Sequence, residues 1–231
     1  PGIDIESLMG ALLNLGLLRE EDNSIVPDDE RNTAFSRLDR MDRALYLTAG
    51  RLYHTVHPAG ESRRLSRERL QSWAVLIRSF MEKLDPGFRY PESSIFRIMD
   101  IVERSCAPSR RRWDAHTNPL YELRSGMEPL AFRKALVSAL CSDGLLQHDP
   151  DGYSLVPVPL GTPDAGHKVL VMDAAFSCIV YPEIDFQDLL VLIRFCSLKE
   201  LGRTMHLEIT RDSAVHGFNS SQDAESMIKL L

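Results

Sequence analysis

The sequence contains no long apolar run, which excludes a membrane-spanning helix, since such a helix needs about 20 predominantly apolar residues in succession. Its opening residues do not read as a secretory leader. The opening Pro1-Gly2-Ile3-Asp4 has neither an initiator methionine nor a basic segment followed by an apolar one, and it reads as a cut inside a longer chain. Cysteine is scarce: Cys106, Cys141, Cys178 and Cys196 are the four in 231 residues. Their wide spacing and apolar surroundings suit reduced, buried thiols better than a disulfide framework, and a cytoplasmic location is expected.

Catalytic signatures are missing as well. A phosphate-cradling Walker loop ends in Gly-Lys, because backbone amides surround the phosphates and the lysine neutralises them, yet none of the 13 glycines precedes a lysine. There is no Asp-Glu-x-His helicase box and no Gly-x-Ser-x-Gly turn of the kind that exposes a hydrolase serine. His54 and His57 share a helical face, but no third ligand stands at a zinc spacing, so they read as surface or packing histidines. Ser213 reads as a helix cap, and His206 beside Glu208 as part of a polar strand face. An enzyme is not expected, and no motif indicates a cofactor or a small-molecule substrate.

What is present is the composition of a globular protein, 44% hydrophobic and 26% charged. The net charge of -6 argues against a generally basic nucleic-acid binder, but the charge is uneven. Residues 61–112 carry a net +5, while 1–60, 113–159 and 160–231 carry -4, -3 and -4. The positive stretch holds two arginine groups, Arg63, Arg64, Arg67 and Arg69, then Arg110, Arg111 and Arg112 beside Trp113. Guanidinium groups pair with phosphates and an indole stacks on a base, which makes these eight the candidate nucleic-acid-binding residues.

Apolar periodicity gives the organisation. Ile5, Leu8, Met9, Leu12 and Leu13 recur at helical spacing, and Gly16-Leu17-Leu18 leads through polar residues to Ile25-Val26, a helix followed by a hairpin. The same order returns after Pro129: Leu130, Ala135, Leu136 and Leu140 form a stripe, Gly144-Leu145-Leu146 follows, and Asp149-Pro150-Asp151-Gly152 turns into Tyr153 to Val156. The two stretches form an internal repeat of winged-helix ends. Two amphipathic helical patterns lie between them, Phe35 to Leu52 and Leu70 to Leu84. The prolines from Pro157 to Pro163 mark a boundary, after which short apolar strands alternate with helices in the order ββαβαα. The expected fold class is therefore α+β: a helical region with a partial winged helix over 1–90, a winged helix over 91–160, and a small α+β domain over 161–231.

Within the last domain, the strand ending Ile179-Val180-Tyr181-Pro182-Glu183, the helix of Leu189, Leu192 and Phe195, and Glu208-Ile209-Thr210-Arg211-Asp212-Ser213 followed by Gly217-Phe218 resemble the N-terminal domain of the XPB-type DNA repair helicases. That domain also occurs on bacterial proteins without the motor. The resemblance covers about a quarter of the chain and implies a non-catalytic domain that docks a protein partner and is linked to damaged DNA. Pro182, Glu183, Phe195, Glu208, Thr210, Ser213 and Gly217 are the positions it singles out as structural or partner-facing. The segment between Ser213 and Gly217 is shorter than the family's usual helix. The expected function is a protein-interaction or scaffold module of a larger DNA repair or helicase-associated protein; the alternative is a winged-helix DNA-binding module using the arginine stripe.

Overall fold

Helix formation at the start of the chain follows from the helical spacing of Ile5, Leu8, Met9 and Leu12, which overrides the low propensity of Gly10, and its end follows from a second glycine. In this computed structural model, which describes residues 5–22, 24–56, 67–106, 128–157, 169–219, 225 and 228, helix α1 spans Ile5–Leu15 and stops where Gly16 adopts φ 71°. The Gly16 amide donates to the Leu13 carbonyl at 3.0 Å and the Leu17 amide to the Leu12 carbonyl at 2.9 Å, the paired bonds of a Schellman cap. Strands β1, Leu18–Glu21, and β2, Ser24–Pro27, then form an antiparallel hairpin. Asp28 caps α2, Asp29–Ser36, by accepting from the Arg31 amide, and Asp39 opens α3, Arg40–Val56, by accepting from the Asp42 amide. The single apolar pattern from Phe35 to Leu52 is thus two helices, because Asp39 offers the backbone a capping bond that ends continuity.

The rest of the first compact unit, residues 1–159, contains α4 Arg67–Met81, β3 Arg89–Tyr90, α5 Glu92–Cys106, α6 Pro129–Ser142, β4 Leu146–Asp149 and β5 Gly152–Leu155. The three strands form an antiparallel sheet in the order β3-β5-β4. Helix, strand, helix, helix, strand, strand, with the first strand pairing to the last, is the order and pairing of a winged helix. It takes in α4 and β3, both ahead of residue 91. Trp73, Ile77 and Phe80 of α4 pack with Ile95 of α5 and with Phe132 and Leu140 of α6 in one cluster, each no more than 1% exposed. The Trp73 and Phe132 ring centroids lie 5.5 Å apart with the planes tilted by 60°, within the distance range of favourable aromatic pairs. The expected short helix around Leu120 to Leu123 lies outside the described residues.

The internal repeat is geometrical as well as sequential. Gly144 adopts φ 69°, its amide donates to Cys141, the Leu145 amide donates to Leu140 at 2.9 Å, and the Leu145 carbonyl accepts from Val156 as the Leu17 carbonyl accepts from Asp28. Every one of these bonds has its counterpart at the matching position around Gly16.

A buried polar network joins the two repeats. Arg51 of α3 donates through Nε to Asp143 Oδ1 at 2.6 Å and through Nη1 to Ser7 Oγ at 3.2 Å, while Thr48 Oγ1 donates to Asp143 Oδ2 at 2.8 Å. The ionic side chains are 8% and 7% exposed. Burial pushes the Asp143 carboxyl above its ordinary value against the opposing pull of Arg51 and Thr48. Helices α1 and α3 approach closely because small residues meet there: a β-carbon on Gly50 would lie 3.0 Å from the Ala11 carbonyl oxygen, and Asn14 Nδ2 donates to the Gly50 carbonyl.

The second compact unit, residues 160–231, contains β6 Leu170–Met172, β7 Ser177–Val180, α7 Phe186–Phe195, β8 Ser197–Leu201, β9 Met205–Glu208 and α8 Arg211–Asn219. The four strands form an antiparallel sheet in the order β6-β7-β9-β8, with Leu192 and Phe195 of α7 packed against Cys178, Val180 and Leu207. Strand β8 corrects the expected order: the helix opened by Asp185 ends at Phe195, not at Gly202, and after Cys196 the chain pairs with β9 through Ser197, Leu198, Glu200 and Leu201, with an irregularity at Lys199. Ser-Leu-Lys-Glu-Leu has ordinary helix propensity, but pairing with β9 overrides it. The order through α8 is therefore ββαββα, and the mixed α+β class stands. The final helix expected near Ser220 lies largely outside the described residues.

Candidate functional site

Helix α6 is the second repeat's counterpart of α1. Phe132, Leu136 and Leu140 turn inward, leaving Lys134 and Ser138 exposed. Between this face, the start of α5 and the β4–β5 hairpin lies a cavity of about 400 Å³. Phe96, Val137, Cys141 and Tyr153 give it apolar walls, and the exposed Glu92, Lys134, Ser138 and His148 stand at its rim. His148 and Tyr153 are directly opposed across the hairpin, so their rings share a face and stack with centroids 4.5 Å apart. Burial raises the Tyr153 hydroxyl above its usual value, with Glu92 and Cys141 adding to the shift, and burial alone raises the Cys141 thiol. Both groups stay protonated at neutral pH, and the wall is uncharged.

The basic residues of this face are mostly engaged. Arg133 reaches across to α5, donating through Nε and Nη2 to the Glu103 carboxylate at 3.1 and 2.8 Å and through Nη2 to Asp100 at 3.1 Å. The Glu103 hydrogen bond is the main reason its guanidinium is held above its ordinary value. On the hairpin side Arg89 pairs with Asp151 at 3.1 Å and Asp149 at 3.6 Å. Lys134 is the other cation of α6.

Of the candidate nucleic-acid-binding residues, Arg63, Arg64, Arg110, Arg111, Arg112 and Trp113 lie outside the described residues. Arg67 and Arg69 fall in the first turn of α4, where the backbone alone is described. His57 also lies outside, while the His54 ring lies against Gly10 of α1 in a packing role.

In the second unit the resemblance positions turn out to hold structure. Pro182 and the exposed Glu183 form a turn closed by the Ile184 amide donating to the Tyr181 carbonyl at 3.1 Å, with proline where its fixed φ suits the turn. Thr210 and Ser213 cap α8 reciprocally: the Ser213 amide donates to Thr210 Oγ1 at 3.1 Å and the Thr210 amide to Ser213 Oγ at 2.9 Å. Gly217 lets α8 approach α7, since a β-carbon there would lie 2.6 Å from that of the fully buried Phe195. Glu208 pairs with Lys199, and His206 contacts Thr204 at 3.2 Å. Cys178 is 1% exposed and Cys196 half-buried; burial and the neighbouring Cys178 push the Cys196 thiol up to about 12.

Sequence reasoning missed the Arg51–Asp143 network and the cavity. One signal was readable: Asp143 stands where the first repeat has Leu15, and a carboxylate at a position its own repeat makes apolar needs a partner. Among the described residues no group of three or more His, Cys, Asp or Glu could hold a metal ion, and no helix is long and apolar enough to cross a membrane. Models of known protein families give no match to the chain, and a comparison with curated protein sequences gives none either.

Proposed function

We propose that this chain is a non-enzymatic protein-interaction module, a scaffold segment of a larger DNA repair or helicase-associated protein working in the cytoplasm. The observation that carries this reading is the engagement of Arg133 by Glu103 and Asp100, which leaves the outward face of α6 without the clustered cations that phosphate binding requires. The face instead offers an open cavity whose lining mixes Phe96, Val137, Cys141 and Tyr153 with Glu92, Lys134, Ser138 and His148. The resemblance of the second unit to the XPB-type N-terminal domain supports the same reading. Affinity capture with the full-length protein, using the products of neighbouring genes as candidate partners, tests it: a stoichiometric complex is expected, and a folded sample that forms none contradicts it.

The second reading, DNA binding through the arginine groups, is favoured by the net +5 over residues 61–112. Its signature is an affinity that falls steeply with salt and weakens when Arg110, Arg111 and Arg112 become alanine.

A further inference from the structure

The two repeats align without a gap from Gly16 and Gly144 to the ends of their hairpins, where Leu18 pairs with Pro27 as Leu146 pairs with Leu155. They differ at the outer edge of the hairpin. Strand β5 has β4 on one side and β3 on the other, whereas among the described residues β2 has β1 alone. Antiparallel pairs alternate between bonded and non-bonded, and the bonds from Asp28 to Leu17 and from Val156 to Leu145 set the phase. The amide and carbonyl of Ile25 therefore point away from β1, at the position where Tyr153 meets Tyr90 of β3. Pro27, without an amide hydrogen, matches Leu155, one residue past the two that β3 pairs with, so the equivalent site at Ile25 and Val26 stays intact. Ser24 matches Gly152 but is an ordinary strand residue without its positive φ, so its β-carbon leaves the sheet plane instead of blocking the edge.

The second repeat also shows the chemistry that covers such an edge. Opposite Ser154 stands Arg89, which reaches Asp149 at 3.6 Å and Asp151 at 3.1 Å, and opposite Tyr153 stands an aromatic residue. Glu21 is the first repeat's equivalent of Asp149. Residues 18–30 hold six carboxylates against one arginine, and Glu20, Glu21, Asp22, Asp29 and Glu30 are exposed. The pairing of Glu21 with Arg19 at 3.2 Å lies open to water and is weak. We propose that the open edge of β2 takes up an extended, basic segment of a partner protein, which pairs its backbone with Ile25 and sets an arginine or lysine against Glu21. The inference rests on the protein-interaction reading and gives it a contact apart from α6. A second copy of this chain fits badly, because two such edges bring like carboxylates together, and the same charge repels a nucleic acid.

The test titrates the capped peptide Lys-Val-Arg-Tyr-Val into the isotope-labelled full-length protein and follows backbone amides by NMR. A saturable shift of the Ile25 amide is expected, with slowed exchange of its hydrogen. N-methylation of the probe at its tyrosine removes the N–H that meets the Ile25 carbonyl and should weaken binding at least about tenfold. A Glu20→Gln, Glu21→Gln double variant, whose thermal melt should match the parent's, should also lose at least about tenfold. A probe that leaves Ile25 unshifted, or that binds equally well once N-methylated, overturns the inference. An Ile25 amide already protected without the probe overturns it too, in favour of a second copy where protection grows with protein concentration and of a strand from the same polypeptide where it does not. A protein that binds the probe at β2 but forms no complex with the products of neighbouring genes loses the partner reading and keeps the peptide-binding edge. A complex held equally well by the double variant keeps the reading and loses the edge.

Discussion

Arg51 and Asp143 show how a single pair of side chains can tie distant stretches of this chain. Removing one partner of a buried ion pair leaves the other charge without compensation, so Arg51→Ala is expected to lower unfolding free energy by about 3 to 5 kcal/mol in urea denaturation. The pH dependence runs opposite to the usual carboxylate. Because burial holds the Asp143 carboxyl above its ordinary value, the folded chain takes up its proton at a higher pH than the unfolded chain does. Its contribution to stability therefore grows as pH falls through the raised value toward the ordinary one. Stability of the parent relative to Asp143→Asn, measured from pH 7 to pH 4, should accordingly rise. A difference that shrinks with acidification would contradict this account of the site. The thiols give a kinetic counterpart: with Cys196 pushed up to about 12 and Cys178 buried, both should react far more slowly with iodoacetamide at pH 8 in the folded chain than in urea.

Among the elements, the repeated helix–hairpin unit was the most legible, because its signals are local. Gly-Leu-Leu needs a left-handed residue after a helix and an apolar residue to follow it, and both copies deliver the same Schellman bonds. Gly16→Ala and Gly144→Ala should each cost about 1 to 2 kcal/mol from the positive φ. Ser213 as a cap was legible for a similar reason; Thr210→Ala, which removes the Oγ1 acceptor of the Ser213 amide and leaves the Thr210 amide bonded to Ser213 Oγ, should cost about 1 kcal/mol. Gly217→Ala should cost about 1 to 3 kcal/mol, since α7 and α8 must separate to admit a methyl group. Strand β8 was not legible: Ser-Leu-Lys-Glu-Leu carries no strand pattern of its own, and its conformation comes from β9 across a hairpin. The break between α2 and α3 was hidden for the opposite reason, the apolar period continuing unbroken through a cap.

At the scale of the whole molecule, composition and charge delimited the functional classes, and the fold then redistributed the charge. The sequence placed Arg133 and Lys134 on a recognition-like helix; only the packing of α5 against α6 reveals that Arg133 is committed to Glu103 and Asp100. The cavity was invisible for the same reason, since its walls come from α5, α6, β4 and β5, brought together by tertiary contacts alone. The claim that this winged helix meets proteins through α6 is tested most directly by fluorescence anisotropy, with labelled duplex and single-stranded DNA titrated by the intact chain at low salt. The account predicts no saturable binding that depends on α6. Saturable binding that falls steeply with salt and is lost in an Arg133→Ala, Lys134→Ala double variant would contradict it.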